Sequence, residues 1–193
     1  MSNTQDFVIK GGETWHPVVR WATDVLHTVP VTAITQAAPA VVTAANHALP
    51  PGWPCALVGV QGMTQINATR YPPRGEDWRT SLVVDTNTVA LPDVSSALFT
   101  PYLTGGFLVY STPAPLVGIQ VTCTVWDNPN RTGTPLVTLE QGTGITVDTS
   151  AMQIIPFLQS EGLSWQQGYY TLVATDPVTG VVTELMDGVL TIE

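Results

Sequence analysis

The segment GYYTLVATDPVTGVVTELMDGVLTIE (residues 168–193) decides how the chain is read. Residues 169–175 and 181–186 are rich in Thr, Val and Tyr, side chains that fit a pleated, half-buried surface. Between them DPVTG offers a hairpin loop with Pro and Gly where a turn wants them. Asp187-Gly188 predicts a bulge before a last strand at 189–192. A hairpin followed by a terminal strand is a sandwich ending. Its opening counterpart is DFVIKGGETWHPVVRW (residues 6–21). Residues 6–9 alternate into a turn at Gly11 and Gly12, and strand character resumes over 14–21. There Trp15 and Trp21 flank Val18 and Val19 as core candidates.

Between these ends lies a second β-rich segment. Residues 24–30 break the pattern, and strands are predicted at 32–35, 40–44 and 55–60, with a Pro/Gly loop at 47–53. RYPPRGEDWR (residues 70–79) is a loop, because two prolines and a glycine forbid regular structure. A hairpin about residues 85–87 follows, then a strand at 107–110 after Gly105-Gly106. Pro113 and Pro115 make a stiff connector suited to a seam between domains. Beyond it IQVTCTVW (residues 119–126) puts Ile119, Val121, Cys123 and Val125 on one face and Trp126 on the other. Strands are predicted at 135–139 and 145–147, while 151–158 reads equally as a helical turn or a strand. The expectation is an all-β protein with a discontinuous sandwich, 1–29 and 113–193, and an inserted β-domain, 30–112.

Composition narrows the function. Only 11% of the 193 residues are charged, 44% are hydrophobic, and Gly and Pro number 16 each. Low charge leaves much weakly polar surface, which an assembled oligomer would cover. The net charge is −9, with six basic residues and a single lysine, Lys10. No cationic face for a polyanion can be assembled from so few, which argues against nucleic-acid and anionic-membrane partners. No apolar run is long enough for a membrane span, and no signal-peptide pattern is present, so a soluble protein is expected. Cys55 and Cys123 fall in different segments and read as free thiols.

Residues 31–68, with ITQAAPAVVTAANHAL followed by GVQGMTQINA, resemble the FCCH-like β-module. That module is named after part of the ubiquitin-activating enzyme and is common in tailed-bacteriophage structural proteins. His47, Leu49, Gly62, Met63, Thr64 and Asn67 match its His-Gly-Leu loop and Gly-Met-Thr-x-x-Asn turn, with Ala48 standing where the module usually has Gly. VVDTNTVAL (83–91) and YLTGGF (102–107) fit its closing hairpin and Gly-Gly turn. The outer segments are similar to small immunoglobulin-like β-sandwiches of phage tail and baseplate proteins. The resemblance implies a virion structural protein without catalytic residues or cofactors. It would oligomerise in the neck or tail through contacts with copies of itself and other virion proteins.

The candidate chemistry is sparse. His16, His27 and His47 stand beside no acidic cluster, whereas zinc needs several ligands at short spacing. No nucleophile elbow, P-loop or dinucleotide fingerprint occurs. Asp127, Asn128, Asn130 and Asp148 offer oxygens but lack the ligand spacing of a calcium loop and read as turn residues. Most informative are Arg70, Arg74 and Arg79, half of all basic residues, interleaved with Tyr71 and Trp78. Arginine with aromatics typifies protein–protein hot spots. Glu76 and Asp77 offer the competing reading of a loop knitted by arginine–carboxylate pairs. Two other roles compete with the neck or tail: capsid decoration, and carbohydrate binding for host recognition through exposed Trp53, Trp78 or Trp165.

Overall fold

The computed structural model describes residues 3–193. The chain forms two compact units, one from the residues up to Trp21 together with Pro115–Glu193, the other from Ala22–Ala114. Strands dominate both. The helical pieces among the described residues are two short turns, Thr64–Ile66 and Gly75–Asp77.

The outer unit is all-β, built around one curled sheet. Gln167–Thr175 pairs antiparallel with Val182–Ile192 on one side and with Gln120–Trp126 on the other, and Val137–Gln141 extends the sheet. Asn3–Thr4 and Phe7–Ile9 run parallel to Val182–Ile192 and cover that edge in two pieces. The same sheet curls on from Val137–Gln141 through Gly144–Asp148 to Gln153–Pro156, Thr14–Trp15 and Leu158–Gln159 form a separate pair, and a single bridge joins Val19 to Ile154. Strand alternation sends Val121, Cys123 and Val125, then Tyr170 and Leu172, then Met186 and Leu190, into one core. Trp15 fills its centre, edge-on to Phe7 at 5.6 Å and to Tyr170 at 5.2 Å. Each such ring contributes about 1.5–3 kcal/mol by burial.

Three expectations change here. The bulge lies between Leu172 and Val173, opposite Glu184 and Met186, and not at Asp187-Gly188. Gly188 serves close approach instead, since a Cβ there would lie 2.1 Å from the Gln5 carbonyl oxygen. The strand expected over 14–21 pairs only at Thr14–Trp15 and through Val19, because Pro17 has no N–H to give a ladder. Residues 151–158 resolve as strand, Gln153–Pro156 and Leu158–Gln159.

In the inserted unit one sheet orders Ala22–Pro30, Phe107–Pro113 and Ala56–Val58, and the other Ala33–Ile34, Ala40–Thr43, Thr88–Leu91 and Leu82–Val83. Ala22–Pro30 covers most of the stretch expected to break the pattern, yet it is a nine-residue strand with Val29 alone buried. It lies at a sheet edge, where solvent on most sides removes the hydrophobic alternation that marks a half-buried strand. Its pairing with Phe107–Pro113 puts the unit boundary at Trp21/Ala22, and Pro113 closes a strand where a connector was expected. Ala22 partners Pro113, so the two ends of the inserted unit are side by side. Adjacent ends are what allow a domain to sit inside a loop of another.

Candidate protein interface

The inserted unit's motif residues are absorbed by folding. His47, 1% exposed, accepts the N–H of Leu49 at Nδ1 (3.0 Å), so Nε2 carries the proton and donates to the Asp85 carbonyl (2.8 Å). Tyr110 donates its hydroxyl to the His47 carbonyl at 2.7 Å. Asn67 grips the Val60 backbone at both ends of its amide, accepting N–H and donating to C=O at 2.9 Å each. Gly62, at φ +84°, leaves no room for a Cβ, which would fall 2.3 Å from the Pro101 carbonyl oxygen. With both ring nitrogens satisfied by backbone, His47 is a loop-pinning group.

The other sequence candidates are placed as follows. His16 is exposed, with Nδ1 at 2.8 Å from the Thr14 carbonyl, and exposed His27 tilts against the Tyr110 ring at 5.0 Å. Asn128 ties its own loop by donating to the Asp127 carboxylate and the Thr132 carbonyl, both at 2.8 Å. Asp148 accepts the N–H groups of Ser150 and Ala151 in a local turn. Among the described residues, no three His, Cys, Asp or Glu side chains gather as a metal site. Cys55 and Cys123 are free and fully buried, and burial pushes both thiols up to about 12, which makes them poor nucleophiles. Of the tryptophans considered for glycan stacking, Trp53 is 1% exposed and donates Nε1–H to the Ser111 carbonyl at 2.8 Å. It therefore cannot offer a face to a sugar. Trp165 packs half-buried on the outer core, and Trp78 is half-buried.

The 70–79 loop differs from these sites. Its order comes from Asp77, which is buried. Asp77 accepts the Thr69 N–H at 2.7 Å and hydroxyl at 2.8 Å on one oxygen, and the Arg74 N–H at 3.1 Å on the other. Those backbone bonds, from Thr69 first and then Arg74, hold its carboxyl below the usual range. Pro73 is buried beneath, and the Arg79 backbone exchanges hydrogen bonds with Cys55. Above this support Arg70, Tyr71 and Arg74 stand exposed, with Tyr71 at 63%, and Trp78 and Arg79 are half-buried. Among the described residues the ion pairs form at Arg131, with Glu184 (3.7 Å) and Asp187. The loop is thus fastened by carboxylate-to-backbone bonds, in place of the arginine–carboxylate ion pairs of the competing reading. Among the described residues its guanidinium groups form no ion pair. Sequence reading grouped Asp77 with Glu76 as an arginine partner. The overlooked signal was an Asp closing a short Arg-Gly-Glu-Asp turn, where a carboxylate reaches back to free N–H groups.

Comparison with known proteins finds no family model that matches the chain, and no curated protein matches it.

Proposed function

We propose that this chain is a non-enzymatic structural protein of a tailed-bacteriophage particle, working in the neck or tail by adhesion to copies of itself and to other virion proteins. The observation that carries this reading is the 70–79 loop, a preorganised projection with an exposed tyrosine and two exposed arginines that form no ion pair among the described residues. Preorganisation matters because a loop already ordered by Asp77 loses little entropy on docking. An aromatic anchor between guanidinium groups matches the residue types that dominate interface energetics. The inserted two-sheet unit within an all-β outer unit is compatible with the phage modules that its sequence resembles.

The same surface would serve capsid decoration, in which the modules clamp neighbouring capsomers. Gene position beside capsid, portal or tail genes separates the two placements. The test of the reading itself is compositional. Peptide mass spectrometry of particles purified from the phage encoding this chain should find it in stoichiometric, repeated copies. Particles free of it would overturn the virion role.

A further inference from the structure

The arginine loop continues onto a sheet edge. Leu82–Val83 is the outermost strand of its sheet, and Leu82 and Val84 are 57% and 59% exposed. Residues 70–84 therefore present cations, one aromatic ring and two apolar side chains on consecutive chain. A stable contact needs about 800 Å² from each partner, and a docking surface of that size at this loop would extend over the adjoining edge strand.

The complementary charge is in the same sequence. The outer unit carries ten acidic residues against three basic ones. Most of its carboxylates are already engaged. Asp187 and Glu184 hold Arg131, Asp148 and Asp176 fasten turns, and Asp6 accepts the Val189 N–H. Glu161 and Glu193, like the exposed Glu140, have no such side-chain partner among the described residues, and Glu13 has only a long bond, 3.4 Å, from the Lys10 N–H. Glu13, Glu161 and Glu193 are exposed as well. Backbone contacts gather their segments at one end of the sandwich: Ser160 donates its hydroxyl to the Glu13 carbonyl at 2.8 Å, and the Gly11 N–H bonds the Glu193 carbonyl.

We infer that the 70–84 surface of one copy docks on this glutamate-bearing end of the outer unit of a second copy, head to tail. The inference rests on the adhesive reading of the loop and names its partner. Because donor and acceptor surfaces differ, the contact is heterologous, and repetition gives a ring if the rotation closes and a filament if it does not. Each copy then covers one neighbour's loop and offers its own.

The test is sedimentation velocity of the purified full chain. In about 0.1 M salt, where the Debye length is about 10 Å, the chain should sediment as an oligomer; in about 1 M salt, at about 3 Å, the contact should weaken. R70E/R74E and E13K/E161K should each weaken association at least about tenfold with unchanged circular dichroism. A chain carrying all four reversals should regain association, which neither general repulsion nor misfolding would produce. A monomer at every salt concentration overturns the inference, as does association indifferent to these reversals. Neither result touches the virion role, which the particle composition decides separately.

Discussion

Val182–Ile192 of the outer unit is an eleven-residue strand paired at every residue but the bulged Leu185, and its neighbour Gln167–Thr175 has nine residues. The four-stranded sheet of the inserted unit is made of strands of two to four residues. Ladders so short cannot fix their connections, and buried or half-buried side chains take over that task. His47, Asn67, Ser81 and Ser96 all bond backbone groups of loops. In the outer unit the same work falls to long ladders around the Phe7–Trp15–Tyr170 cluster. The contrast teaches that rigidity in the inserted unit is a property of its loops, which suits the loop contact proposed for it.

The sharpest way to break the comparison uses two glycines with the same backbone angle. Gly62 and Gly12 both sit at φ +84°, but a Cβ at Gly62 would strike Pro101 and Leu103, whereas one at Gly12 meets nothing within 4 Å. Gly12→Ala should cost about 1–2 kcal/mol, the left-handed penalty alone. Gly62→Ala should cost about 3 kcal/mol or more, because backbone must move. Calorimetric melting of both variants checks this, and equal losses would deny that loop packing holds the inserted unit.

A smaller pair of changes compares one hydroxyl in each unit. Tyr110→Phe frees the His47 carbonyl and Tyr170→Phe frees the Gln5 carbonyl, each bond being 2.7 Å long. Each substitution should destabilise by about 1 kcal/mol in denaturant titrations. If the Tyr110 change were free of cost while the Tyr170 change was not, the account of His47 as a pinned loop would fail.

How much of this was legible in the sequence follows from burial. The hairpin around residues 176–181 and the 119–126 strand were readable because one face is buried, so Val121, Cys123 and Val125 alternate with half-buried neighbours. Ala22–Pro30 was not, since an edge strand carries no such contrast. The cluster of arginines and aromatics was visible by composition. The fastening of its loop by Asp77 was harder to see, because its only signal is an Asp closing a short turn, and neighbouring arginines offer that carboxylate a competing partner.

The module-like loop offers a test of opposite sign. Asn46 and Ala48 both have positive φ, +53° and +51°. Ala48→Gly should stabilise the inserted unit by about 0.5–1 kcal/mol, the relief of a left-handed alanine less the added chain entropy. A lower melting temperature would show that Ala48 packs in a way its backbone strain conceals.

The most local effect is on pH. The Asp77 carboxyl is held low by the Thr69 and Arg74 N–H groups. Its contribution is complete above the unfolded carboxyl value, about pH 4, and is lost as pH falls through the lower folded value. Acidification should therefore cut the exchange protection of the Thr69 and Arg74 amides before either core loosens. Protection that persists well below that range would mean something other than Asp77 orders the loop.

The adhesive role is tested most directly by cryo-electron microscopy of the intact particle. The expected result is a symmetric ring or lattice of this chain in the neck or tail, with the 70–79 loop buried against a neighbour. A particle in which every copy leaves Arg70, Tyr71 and Arg74 in solvent would contradict it.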